Sequence, residues 1–155
     1  MQAWWSGTTY YWTGTYLGGV SNCTYQPGSW MSSVITTGFA VGLIWDGAQP
    51  PCNAVRNTMP WSGSSAYSTG VSNADQAVNA AVSKGFGSGT PIYTDVEGFT
   101  DTIYMNQHCV DSVRAYVSGW TVEIAARGFA AGYYGSSSGS YVEYMAGASH
   151  VPPYI

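Results

Sequence analysis

Short apolar runs alternate along the chain with segments whose apolar residues recur at helical spacing. Residues 10–18 (YYWTGTYLG) are rich in β-formers and end in a Gly-Gly pair. Residues 29–38 (SWMSSVITTG) open on a serine suited to an N-cap and close on a glycine suited to C′, predicting a helix. Residues 39–46 (FAVGLIWD) are a short apolar run ending in an acid. A polar stretch over 47–71 holds Pro50, Pro51 and Pro60 among several Gly and Ser, and reads as a loop. From Ser72, SNADQAVNAAVSKGFG starts on Asn and Asp, runs through Ala and Val and closes on Gly, so it reads as a helix. PIYTDVEG, beginning at Pro91, is the next strand. The clearest helix covers 108–127, where Val110, Val113, Val117, Trp120 and Ile124 form one stripe and Gly128 is the stop signal. Residues 129–135 (FAAGYYG) are a further strand, and the remaining residues begin as loop and then become ambiguous.

The order is therefore β-α-β-loop-α-β-α-β, with apolar rather than alternating strands. Such strands belong in a parallel sheet covered on both faces and joined by right-handed crossovers. Two α/β architectures meet this description, an open doubly wound sheet and a β/α barrel. No GxGxxG or GxxxxGK run follows the first strand, which disfavours a nucleotide site. A full barrel takes about 250 residues, so with 155 residues and four visible strands the barrel reading covers only part of one. The chain is expected to form a single domain over 1–155.

Composition narrows the function. Charged residues make up 8% and aromatic residues 15%, including 7 Trp and 13 Tyr. That aromatic content argues against disorder. With four Lys+Arg and a net charge of −4, the chain lacks the basic footprint of a nucleic-acid binder. No run of about 18 apolar residues predicts a membrane span. A weakly charged, aromatic-rich surface suits an uncharged polymer such as a polysaccharide, and is common outside the cell. Residues 1–5 (MQAWW) show neither the basic nor the apolar region of a signal peptide, so either a mature segment begins here or the natural start lies elsewhere. Cys23, Cys52 and Cys109 match no zinc spacing, and no metal or other cofactor is expected.

Working groups of parallel α/β sheets gather at the carboxyl ends of the strands. Asp95 and Glu97 lie there, two apart, so their side chains share a face with Cα atoms about 6.6 Å apart. Converging carboxylates repel, which raises one pKa and separates an acid from a base or charge stabiliser. Glycoside hydrolysis uses such a pair. Glu97, nearer the mouth and longer, is the candidate general acid, with Asp95 its partner. The bland readings of D-x-E are a helix cap, a metal ligand pair or a solvated loop start. Asp46 could line the same mouth, or simply open an Asp-Gly turn. Tyr93 shares the face of Asp95 and could orient it, although core packing is the commoner fate of such a tyrosine. Tyr134 would face the cleft in one of two registers. Trp4, Trp5, Trp12, Trp45 and Trp61 are candidates for stacking on sugar rings; Trp61, in the Pro-rich loop, is the one expected to be exposed. His108 reads as a surface residue.

The runs YLGGVSNCTYQP, SWMSSV, LIWDGAQPPCN, GSGTPIYTDVEGF and AYVSGWTVEIAARGFAAGYYGSSSG, in this order, resemble a bacterial secreted family described as glycoside hydrolase-like, long catalogued as a domain of unknown function and related to the family 25 muramidases. The resemblance implies a TIM-type (β/α)8 barrel whose fourth strand bears the D-x-E, here Asp95 and Glu97. It implies that the visible strands are about the second to fifth of eight, with the family's opening Gly-Phe-Asp strand before residue 1 and the sixth strand starting near 151–155. A half-open sheet of this kind would self-associate through its edges. The resemblance also implies a Cys52–Cys109 disulfide and an unpaired Cys23, whose usual partner lies in the first strand. The function it implies is an extracellular or cell-wall-associated domain, muramidase-like in activity, acting on peptidoglycan-type glycan. Its main alternative is a carbohydrate-binding module without turnover, and an open doubly wound domain with an unrelated ligand is a third reading.

Overall fold

A computed structural model describes residues 2–20, 28–53, 56–97, 107–135 and 147–153. Four strands, β1 (Trp12–Gly19), β2 (Ala40–Asp46), β3 (Pro91–Asp95) and β4 (Ala130–Tyr134), form one parallel sheet in sequential order. Helices α1 (Gln2–Gly7), α2 (Gly28–Thr37), α3 (Gly63–Ser83) and α4 (Gln107–Ala126) precede, connect and flank them. Strand order thus runs along the sheet without the reversal of a doubly wound sheet. Ser29 lies within the first turn of α2 rather than ahead of it. Gly38 (φ 106°) and Gly128 (φ 80°) stop α2 and α4 in the left-handed region that glycine enters at little cost.

In a parallel register, paired residues point to the same side. Thr15, Leu43, Ile92 and Ala131 share one face, and Trp45 and Thr94 continue it; all six are buried. On that face α3 supplies Ala74, Ala77, Val78 and Ala81, and α4 supplies Trp120 and Ile124, to one core cluster. A second cluster under the strand ends joins Ala48, Met59 and Ala66 to Val96, Val113, Tyr116, Val117 and Tyr133. The opposite face carries Tyr16, Ile44 and Asp46, then Tyr93, Asp95 and Tyr134. Burial on β3 alternates accordingly, intermediate at Pro91 and Tyr93 and complete at Ile92 and Thr94. Near-continuous apolar strands had suggested cover on both faces. Among the described residues, only the face under α3 and α4 is packed that way.

Helix α3 begins at Gly63, nine residues before the start expected from its Asn/Asp-rich segment. The early turns (GSSAYSTG) are poor in strong helix formers, so propensity alone reads them as loop. Packing against α4 overrides it. A Cβ at Gly70 would lie 2.0 Å from the Tyr116 carbonyl oxygen, and one at Gly119 would lie 2.2 Å from that of Tyr67. The two glycines let the helix backbones touch, and that contact holds the first half of α3 in place.

Residues 47–53 and 56–62 lie between β2 and α3, and they are tied down at several points. Cys52 and Cys109 form the expected disulfide, with Cα atoms 5.8 Å apart, joining this loop to the start of α4. Gln49 and Thr58 form an isolated parallel bridge, and Met59 is buried. Cys23 lies outside the described residues.

Candidate functional site

The carboxyl ends of β1, β2 and β3 bring Tyr16, Asp46, Asp95 and Glu97 together. Asp46 and Asp95 are register partners, exposed by only 7% and 9%. The Tyr16 hydroxyl donates to Asp95 Oδ2 at 2.6 Å, across 79 residues of sequence. Glu97 lies two residues beyond Asp95, past the end of β3, and is exposed.

Burial is the main cause that pushes the Asp95 carboxyl above the usual aspartate range. The Tyr16 hydrogen bond opposes it, while the negative charges of Asp46 and then Glu97 push in the same direction as burial. The site therefore holds three interacting carboxylates in unlike settings, one of them disposed to keep its proton. That inequality is what acid–base work by a carboxylate pair requires.

Behind the acids, a buried polar chain fixes the strand ends. Tyr116 Oη donates to Asn73 Oδ1 at 3.2 Å, which leaves Thr94 Oγ1, 3.1 Å away, as the donor to Tyr116. Asn73 Oδ1 also accepts the Ala48 N–H at 3.2 Å. Burial pushes the Tyr116 phenol up, so it stays a neutral donor. A Cβ at Gly47 would fall 2.4 Å from Thr94 Oγ1 and 2.5 Å from Tyr116 Oη, so the chain turns out of β2 where only glycine fits. This chain couples α3, α4, β3 and the β2–α3 loop at one point.

Gln49 completes the support. It is 5% exposed; its Nε2 donates to the carbonyls of Gly47 (3.0 Å) and Asp95 (3.1 Å), and its Oε1 accepts the Glu97 N–H at 2.7 Å. Neither Tyr16 nor Gln49 stands out in the sequence as a site residue. Tyr16 lies inside an aromatic-rich strand, and Gln49 in a loop of undetermined path. An acid needing a donor from a neighbouring strand was the one available clue to Tyr16.

The remaining candidates divide. Tyr134 pairs with Asp95 in the register, so it takes the face of the acids, and it is 51% exposed. Tyr93 shares that face, its ring lying over Gly132, where a Cβ would approach it to 2.4 Å. With Trp12, Ile44 and Tyr133, these two line a pocket of about 260 Å³. Trp12 is 55% exposed and also borders a second hollow, of about 240 Å³, with Trp4, Tyr10, Thr13 and Phe39. Trp61 is exposed, but it sits in the loop before α3, where its carbonyl accepts from Ser112 on α4. Trp45 cannot stack on a ligand: it is buried in the core beneath α3 and α4. Trp5 packs edge-on against Phe39, ring centroids 5.0 Å apart. His108 is exposed at the start of α4. Among the described residues, no three His, Cys, Asp or Glu side chains are placed to hold a metal ion, and no helix is long and apolar enough to cross a membrane.

A sequential parallel sheet, helices packed on one face and acids at the strand ends define an α/β protein with carboxylates along the carboxyl edge of its sheet. The chain belongs to the Rv2525c-like, glycoside hydrolase-like domain family, whose sequence profile matches residues 2–152. No curated protein matches it. The fold is shared with the crystal structure of an uncharacterized B. stearothermophilus protein, at 18% identity and a TM-score of 0.61. The match covers 89% of this chain and 55% of that one, so the chain spans about half the length of that protein.

Proposed function

We propose that this domain acts on bacterial cell-wall glycan as a glycoside hydrolase, with Asp95 and Glu97 as the working carboxylates and Asp46 as a third charge at the mouth. The carrying observation is the buried Asp95, bonded to Tyr16 and pushed upward by burial with Asp46 and Glu97 beside it. Glu97, exposed and longer, reaches the leaving-group oxygen as general acid. Asp95, oriented by Tyr16, is its partner, and in its ionised form stabilises the positive charge that develops on the sugar ring. Tyr93 and Tyr134 contact the sugar chain on the same face, and Trp61 offers a stacking surface further out. Sequential strand order, with α3 and α4 on one face, supports the reading of the sheet as part of a TIM-type barrel, with β1 and β4, the outer strands among the described residues, available for self-association. The Cys52–Cys109 disulfide supports an extracellular or cell-wall location, since such bonds persist in oxidising compartments.

The test is release of reducing sugars from peptidoglycan. Turnover that Glu97→Gln abolishes supports the assignment. An activated aryl glycoside separates the two roles, because a good leaving group needs no acid. Glu97→Gln should keep activity on that substrate, and Asp95→Asn should lose it; the reverse result exchanges the roles, as the upward push on Asp95 would favour. A second reading, a carbohydrate-binding module without turnover, is favoured by the uncharged, aromatic-lined pocket around Trp12, Tyr93 and Tyr134. Glycan binding with no sugar release between about pH 4 and 8 would select it.

A further inference from the structure

The β2–β3 ladder ends on the pair Asp46 and Asp95. In a parallel ladder, a residue facing the next position of its neighbour donates its N–H to the carbonyl before that position. Its own carbonyl accepts the N–H after it. For Val96 the facing residue is Gly47, which should receive the Glu97 N–H on its carbonyl. The first half of this rung is present: Gly47 N–H points to the Asp95 carbonyl at 3.3 Å. The second half is replaced. The Gly47 carbonyl accepts Gln49 Nε2, and the Glu97 N–H goes to Gln49 Oε1. The side-chain amide is thus inserted in the ladder as a spacer between the two strand ends, with a further bond from Nε2 to the Asp95 carbonyl.

We propose that Gln49 is a positioning residue that carries the β2–β3 pairing one rung past the strand ends and so sets the placement of Glu97 relative to Asp95. This rests on the reading of those two acids as the working pair. Two carbonyls and one N–H around the amide permit only one orientation of its O and N. The spacer is itself held firmly: the Gln49 N–H donates to the Asn57 carbonyl at 3.0 Å, and its carbonyl accepts the Met59 N–H at 2.8 Å. Just upstream, Ala48 is bonded to Asn73. On the other side of β3, Val96 N–H donates to the Tyr134 carbonyl at 3.1 Å. Residues 95–97 are therefore held from both flanks, with Glu97 close enough for its charge to act on Asp95. Without the amide, the bond of Val96 to Tyr134 is what remains, among the described residues, to hold the chain beside Glu97. Its carboxyl could then swing by more than the roughly 1 Å that costs a catalytic pair about a hundred-fold in rate.

The first measurement needs no substrate. In the wild-type protein labelled with ¹³C and ¹⁵N, a through-bond coupling between the Glu97 amide nitrogen and Gln49 Cδ is expected; its absence overturns the proposal. In Gln49→Met, which keeps the volume and removes all three bonds, Glu97 amide exchange should accelerate about ten-fold, while Val96, bonded to Tyr134, keeps its protection. Unchanged Glu97 exchange in Gln49→Met overturns the proposal. On glycan, Gln49→Met should lower kcat at least ten-fold with KM within about two-fold; an unchanged kcat also overturns it. A wild-type protein that shows the coupling but no turnover would overturn the hydrolase reading and leave the spacer supported.

Discussion

Tyr16→Phe isolates the hydrogen bond that opposes the upward push of burial on Asp95. It keeps the ring and removes the donor that stands 2.6 Å from Asp95 Oδ2. A hydrogen bond to a charged acceptor contributes about 1.5–3 kcal/mol net, and one between neutral groups about 0.5–1.5 kcal/mol. Tyr16 is only partly buried, so the lower part of the charged range applies, about 1.5–2 kcal/mol at pH 7. At about 2–4 °C per kcal/mol for a chain of this length, the melting temperature should fall by about 3–8 °C. The pH dependence gives the sharper test. Asp95 is already held above its ordinary range by burial, against the Tyr16 bond. Losing that bond raises it further. A carboxyl raised in the folded state contributes stability that is full below its unfolded pKa and lost as pH rises through the folded one. The variant therefore falls further below wild type as pH rises, and its deficit shrinks once Asp95 is protonated in both proteins. Thermal or urea unfolding at pH 7 and near pH 3, on wild type, Tyr16→Phe, Asp95→Asn and the double variant, measures this directly. A coupling of about 1–2 kcal/mol at pH 7 is expected. A cost equal at both pH values, or undiminished in the Asp95→Asn background, refutes the reasoning.

Asp95→Asn alone should stabilise the fold at pH 7 by removing a buried charge. The gain should disappear near pH 3, and an Asn variant that melts below wild type at pH 7 would contradict the raised Asp95 carboxyl. Removing the disulfide with Cys52→Ser and Cys109→Ser frees a loop with a sequence separation of 57. The chain-entropy estimate for that length is about 4 kcal/mol, so denaturant unfolding should show a loss of about 2–4 kcal/mol; less than about 1 kcal/mol would mean that the loop holds itself. Gly70→Ala gains up to about 1 kcal/mol in helix propensity, yet it forces a Cβ against the Tyr116 carbonyl. Net destabilisation by about 1–3 kcal/mol is expected, and a more stable variant would disprove the close crossing of α3 and α4.

Much of the architecture was legible in the residues because local physics wrote it there. The Val110, Val113, Val117, Trp120 and Ile124 stripe could bury one face only as a helix, and Gly38 and Gly128 marked helix ends by their freedom at positive φ. Period two on PIYTD put Asp95 and Tyr93 on one face before any fold was known. The limits of α3 were not legible, because GSSAYSTG is a poor local helix former and becomes one only where Gly70 and Gly119 let two backbones meet. Which face α3 and α4 would cover could not be read from uniformly apolar strands either; crossover packing decided it. The D-x-E pair itself is a local pattern, visible at once. Its setting is not local: Tyr16 comes from a strand 79 residues away, Asp46 from the register, and Gln49 from a loop whose bonds depend on two strand ends already being in place. Sequence alone determined which residues could carry charge to a strand end. Only the tertiary structure decided how those charges are buried, opposed and held, because desolvation and long-range hydrogen bonds do not exist until the chain has folded.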